Sequence, residues 1–158
     1  MKKRFRVLTS LALAATMALG LAGCGDAAAG SAAGSGSESA DASGKTYTVG
    51  ICQLVQHEAL DAATQGFKDA LTDKLGDNVK FDEQNAAGDA STYSTICTTF
   101  VTNNYDLILG NATAALQAAG AATDTIPILG TSITDYATAL DMSDWTGTTG
   151  KNISGTTD

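Results

Sequence analysis

The sequence has one proline, one histidine, one tryptophan and three cysteines in 158 residues, and only nine lysines and arginines. Each scarcity excludes something. Neither Cys52 nor Cys97 falls in a CxxC or Cys/His spacing, and His57 has no cysteine near it, so no zinc ligand set is present. His57 also has no nucleophile beside it, and no GxSxG elbow appears. Neither GxxxxGK[ST] nor GxGxxG occurs after a strand, which removes the common nucleotide cradles. Carboxylates are scattered over helix faces rather than paired. These gaps argue against an enzyme, a bound metal and a cofactor. Four of the nine cations (Lys2, Lys3, Arg4 and Arg6) precede Cys24, while all seventeen acids follow it. From Cys24 onward five bases face seventeen acids, a net charge of −12 (five minus seventeen). No clustered cations are left to meet a phosphate backbone, so no nucleic-acid partner is expected.

The four early cations lead into an apolar run from Val7 to Leu21, shorter than a comfortable membrane span of about 20 residues. A basic start and a short apolar run make a secretory signal. It closes on Leu21-Ala22-Gly23-Cys24, which looks like a bacterial lipobox. Residues 1–23 are therefore read as a lipoprotein signal peptide. Cys24 becomes the lipidated N-terminus, anchored by more than one acyl chain at about 0.8 kcal/mol per buried CH₂. Gly25 to Gly44 is almost wholly Gly, Ala and Ser. That composition cannot bury a core, so 24–44 is read as a flexible, lipid-anchored linker.

From Lys45 the pattern alternates between strand and helix. Tyr47 to Cys52 is an uncharged β-rich run, and Val79 to Glu83 alternates as a second strand. Leu107 to Leu109 and Ile126 to Leu129 make a third and a fourth, Pro127 lying near the start of the last. Between them Glu58 to Leu75 carries Leu60, Ala63, Phe67, Ala70, Leu71 and Leu75 at helical spacing, with Asp61, Lys68, Asp69 and Asp73 for the wet face, and stops at Gly76. Asp89 is a candidate N-cap for a second helix striped by Tyr93, Ile96, Cys97, Phe100 and Val101. Ala112 to Ala122 forms a small-residue helix suited to close packing, and Asp135 to Leu140 a short one. The segment from Ile153 to Asp158 reads as a polar tail. Successive βαβ units predict a doubly wound α/β fold with a parallel sheet in residues 45–158. Cys52 on a strand and Cys97 mid-helix read as buried free thiols, with a disulfide as the alternative.

In such sheets ligands sit beyond the carboxyl ends of the strands. That rule nominates Gln53 after the first strand, Asn111 and Thr113 after the third, and Thr131, Ser132 and Asp135 after the fourth. Gln84 and Asn85 follow the second. Asn111 to Thr113 opens a helix, where N–H groups and the helix dipole favour a carboxylate. Thr131 and Ser132 offer hydroxyls, and Asp135 offers an acceptor for an ammonium group. Each of these residues has a plainer alternative as a local cap or turn former.

The run Val49 to Asp61 (VGICQLVQHEALD) resembles the opening of a family of ABC-transporter substrate-binding lipoproteins. Gln84-Asn85-Ala86 with Gly88-Asp89, Asp106 to Leu109 with Ala112-Thr113, Ile126 to Leu129 with Thr134-Asp135, and Asn152 to Asp158 follow in the family's order. The resemblance implies the first lobe of a type I periplasmic-binding-protein fold and a small-molecule ligand, an amino acid and in some members an aromatic one. It also implies delivery to ABC permease subunits from the outer face of the bacterial cytoplasmic membrane. Gln56, Glu58, Ala114 and Tyr136 depart from the family's usual residues, which bears on ligand identity. Family members are about twice as long, so the chain reads as an N-terminal lobe with the second lobe absent. A lipid-anchored sensor or interaction module of the same fold, and a truncated fragment with little binding activity, are the alternatives.

Overall fold

The computed structural model describes residues 44–158. The signal peptide, Cys24 and almost all of the linker lie outside the described residues. Strand β1 (Tyr47–Gln53) leads to helix α1 (Glu58–Leu75), then β2 (Val79–Asn85), α2 (Ala90–Thr102) and β3 (Leu107–Asn111). Helix α3 (Thr113–Ala122), β4 (Ile128–Ile133), α4 (Tyr136–Ala139) and β5 (Ile153–Thr157) complete the order. The five strands form one all-parallel sheet, ordered β2-β1-β3-β4-β5. The α/β class expected from the alternation is the class observed.

Side-chain alternation along β1 divides the core in two. Val49 and Ile51 face α1 and pack with Leu109, Phe67, Leu71 and Phe81. Cys52 faces the opposite way, joining Cys97, Phe100, Ile108, Leu116, Ile128, Ile133 and Ile153 beneath α2, α3 and α4. One helix thus covers one face of the sheet and three cover the other. Two glycines set the spacing of the crowded face. A side chain on Gly50 would meet the Phe100 ring at 2.5–2.8 Å, and one on Gly110 would lie 2.8 Å from Leu116 Cα. The alanine-rich α3 does approach the sheet closely, with Ala115, Leu116 and Ala119 fully buried.

Helix ends follow the local chemistry of the sequence. His57 caps α1 by accepting the Ala59 N–H on Nδ1 at 3.2 Å, and Gly76 closes it by donating its N–H to Thr72 O. Asp89 caps α2 by accepting from Thr92 N at 2.8 Å. Its carboxyl pKa is lowered to about 2, first by the Ser91 hydroxyl and then by the hydroxyl and backbone N–H of Thr92.

Two readings need correction. Ile153–Thr157 is not a tail but the fifth strand, pairing with β4 from Ile128↔Ile153 onward. Only Ile153 of this strand is buried, so it lacks the apolar signature of its neighbours. The fourth strand begins after Pro127 and runs through the polar Thr131 and Ser132 to Ile133, with a register irregularity between Gly130 and Ile133. Tyr136 of α4 lies over paired Gly130 and Gly155, its hydroxyl donating to Gly130 O at 3.0 Å. Cys52 and Cys97 are buried and free.

Candidate functional site

The chain leaves β1 to one side to make β2 and returns across it to make β3, so strand order reverses between β1 and β3. Gln53 and Asn111, the last residues of those strands, flank this point and are in register with each other. Gln53 is also in register with Asn85 at the end of β2, and Asn111 with Thr131 in β4. Asn85, Gln53, Asn111 and Thr131 therefore form one row across four strands. By alternation from Phe81, Ile51, Leu109 and Leu129, the row lies on the α1 side of the sheet. The strands run further into the nominated loops than the apolar pattern predicts, and that extension aligns the row.

Gln53 and Asn111 are almost wholly buried, and α1 holds them. Gln53 Nε2 donates to Asp61 Oδ1 at 2.6 Å and Val55 O at 2.9 Å, and its Oε1 accepts from Thr64 Oγ1 at 2.7 Å. Asn111 Nδ2 donates to Leu60 O at 2.8 Å and Thr64 Oγ1 at 2.9 Å, with a longer 3.4 Å contact to Gln53 Oε1. Asn111 Oδ1 is buried without a donor. A buried acceptor left unpaired costs about 1–3 kcal/mol, a cost that a donor entering the site removes. Asp61 and Thr64, three residues apart on α1, were not picked out from the sequence as site residues. Asp61 reads as wet face in the helical pattern and stays exposed; the available signal was the polar Thr64 beside Ala63 on the inward stripe.

The other nominated residues divide. Thr113 is half-buried at the first position of α3, whose N-cap is Ala112 with φ 85° and ψ 160° and no capping side chain. A non-glycine residue in that region costs of order 1–3 kcal/mol and persists only where the surroundings hold it. Ala112 N donates to Thr131 O at 3.0 Å, fixing the uncapped helix start to β4. Ser132 is half-buried with φ 56°, in the irregular part of β4. Asp135 is an N-cap. Its carboxylate accepts from Ala137 N at 3.0 Å and Thr138 Oγ1 at 2.5 Å, and the Thr138 hydroxyl is the main cause of its lowered pKa. The structure thus sets Gln53, Asn111 and Thr131 in one row, places Thr113 just past Asn111 at the start of α3, and shows Asp135 capping α4.

A concavity of about 230 Å³ opens beside the row, lined by Gln53, Gln56, Asp61, Glu83, Gln84 and Asn85. Lys68 pairs with Glu83 at 3.0 Å. The lining is built from amides and carboxylates, a hydrogen-bonding surface. A larger hollow of about 330 Å³ lies between Tyr136 and the Gly/Thr-rich loop before β5. It contains no member of the row.

A profile of the ABC transporter substrate binding protein family matches residues 48–158, which include the whole row and all five strands but the first residue of β1. The chain belongs to that family. A tyrosine-binding protein of Clostridioides difficile (strain R20291) is 44% identical over 117 residues, covering 72% of this chain and 34% of the relative. A substrate binding protein with adhesive properties from Clostridium difficile, solved ligand-free and open, superposes with a TM-score of 0.66 at 40% identity. An ABC domain from Streptococcus pneumonia in complex with L-Trp gives 0.66 at 33% identity. Each match covers 72% of this chain and 39% of the solved one. The chain spans about a third of the length of the curated relative it matches.

Proposed function

We propose that this chain is the ligand-gripping lobe of an extracytoplasmic solute-binding lipoprotein that serves an ABC importer. The observation that carries this reading is the row Asn85, Gln53, Asn111 and Thr131 at the strand-order reversal of a family member. A receptor must hold and release its ligand unchanged, and amides and hydroxyls on rigid strand ends suit that task better than nucleophiles do. The ligand in this reading is a small amino acid, with aromatic side chains favoured by the tyrosine-binding relative and the L-Trp complex.

Within the site, the start of α3 at Thr113 takes the ligand's carboxylate, and Thr131 and Ser132 add hydroxyl contacts. Gln53 and Asn111 act mainly by position, locking α1 to the reversal point and leaving Asn111 Oδ1 to accept a donor. Asp135 shapes the neighbouring turn as a cap. A second lobe, carried by the longer relatives, closes over this edge about a hinge and supplies the other wall of the cleft.

Residues 1–23 direct export, Cys24 carries the palmitate-type lipid, and 24–44 tethers residues 45–158 at the outer face of the cytoplasmic membrane near the permease. The test of binding is calorimetric titration of this chain and of a two-lobed version against the twenty amino acids, nucleosides and simple sugars. Aromatic amino acids are expected to bind the two-lobed form; binding of sugars or nucleosides alone refutes the ligand class. Thr113→Ala and Thr131→Ala should each weaken binding by about 1–3 kcal/mol. Labelled palmitate fed to expressing cells should mark the chain and not its Cys24→Ala variant.

A further inference from the structure

Helix α2 runs back along β1 in a fixed register set by three contacts. The Tyr93 hydroxyl donates to Leu54 O at 3.3 Å just beyond the strand's end, and the Phe100 ring covers Gly50. Between them, Cys97 and Cys52 meet in one buried cluster under α2. The spacings agree. Steps of three or four helical residues rise about 4.5–6 Å, and two strand residues span about 6.6 Å. Both cysteines are fully buried in one apolar cluster, with no other cysteine among the described residues.

We propose that Cys52 and Cys97 form a buried dithiol that closes to an intramolecular disulfide, fastening α2 to β1 directly behind the candidate site. The link lies one residue before Gln53. It would brace the turn after β2, where Ala86 N donates to Gln53 O and Gly88 N to Leu54 O. The step needs a disulfide as oxidant. Cys97, whose thiol is made more acidic by the neighbouring Cys52, attacks one sulfur of R–S–S–R and expels RS⁻. The Cys52 thiolate then displaces the second RS⁻ from the mixed disulfide. Two electrons pass from the cysteines to the oxidant, and the two thiol protons leave with two R–SH. The neighbouring Cys97 thiol, and after it burial, raise the Cys52 thiol, and both thiols are shut from solvent, so the reaction runs through brief opening of α2 rather than from the closed fold.

The test uses the full chain with glutathione disulfide as R–S–S–R, followed by acid quench, denaturation, alkylation and tryptic mapping. Cys52 falls in the tryptic peptide Thr46–Lys68 and Cys97 in Phe81–Lys151, while Cys24 lies in a third. The expected result is a Thr46–Lys68 to Phe81–Lys151 cross-link. It should come with a rise in thermal midpoint on the order of 5–10 °C, undone by dithiothreitol and absent in Cys97→Ala. A parallel sample refolded from urea with the same oxidant removes the barrier of burial. Free or separately glutathionylated Cys52 and Cys97 by both routes overturns the proposal, as does a bond to Cys24 or a cross-link that lowers the midpoint.

Discussion

Thr64→Val asks whether the switch-point residues are held by hydrogen bonds or only by shape. Valine fills the same volume as threonine but can neither donate to Gln53 Oε1 nor accept from Asn111 Nδ2, contacts of 2.7 and 2.9 Å. Gln53 Oε1 keeps only the 3.4 Å contact with Asn111, and Asn111 Nδ2 keeps Leu60 O. Thr64 is 2% exposed, so water cannot replace the hydroxyl. Two buried hydrogen bonds at about 1–1.5 kcal/mol each, partly offset by the added methyl group, give a net loss of about 2 kcal/mol. Thr64→Ser keeps the hydroxyl and loses one methyl, a cost of about 1 kcal/mol. The order of the two variants therefore decides. Urea denaturation followed by circular dichroism should place serine above valine in midpoint at equal slope. Valine equal to the parent, with serine below it, would mean that the network contributes packing alone and the reasoning fails.

Gly50→Ala should destabilise by about 1–3 kcal/mol in the same assay, because the new methyl enters the Phe100 ring. Gly66→Ala, in the middle of α1 with open space around it, should stabilise by up to about 1 kcal/mol, and a loss there would contradict the helix's exposed face. The Asp89 carboxyl titrates lower folded than its ordinary 3.8, at about 2, so its capping contribution is present above pH 3.8 and fades as pH falls toward 2. Asp89→Ala should lower the midpoint at neutral pH and flatten the acid limb across that window; an unchanged limb in acid titrations removes the cap's role. Asp135→Ala should shorten α4 and leave ligand affinity unchanged, so a large loss of affinity in calorimetry would return Asp135 to the site.

The sheet's first four strands were readable because each carries an uncharged or alternating run, and α1 and α2 because their stripes repeat at helical spacing. Helix ends were readable for the same local reason, since Asp89 and Gly76 act through their own backbone neighbours. What escaped was non-local. Ile153 to Thr157 becomes a strand because β4 offers a partner, and its own residues are too polar to announce it. The site shows the same division. The strand-end rule reached Gln53, Asn111 and Thr131 without the structure. Thr64 and Asp61 meet them only when α1 folds back over β1 and β3, a contact no spacing in the chain encodes. Asp135 had two readings in sequence, a ligand contact and a local cap, and the structure shows the cap bonds to Ala137 N and the Thr138 hydroxyl.

The wholly parallel sheet also fixes a timetable. No strand of the five pairs with a neighbour through a tight hairpin, because every strand-to-strand connection crosses a helix. Pairing β1 with β3 must wait until the intervening α1, β2 and α2 have been made, and β2 is the first partner the chain supplies to β1. Folds built this way pay loop-closure entropy before contacts repay it and are slow to assemble. In the exported reading proposed above, that slowness is useful: the sheet stays incomplete until β5 arrives, and a chain still in transit has little compact structure to undo.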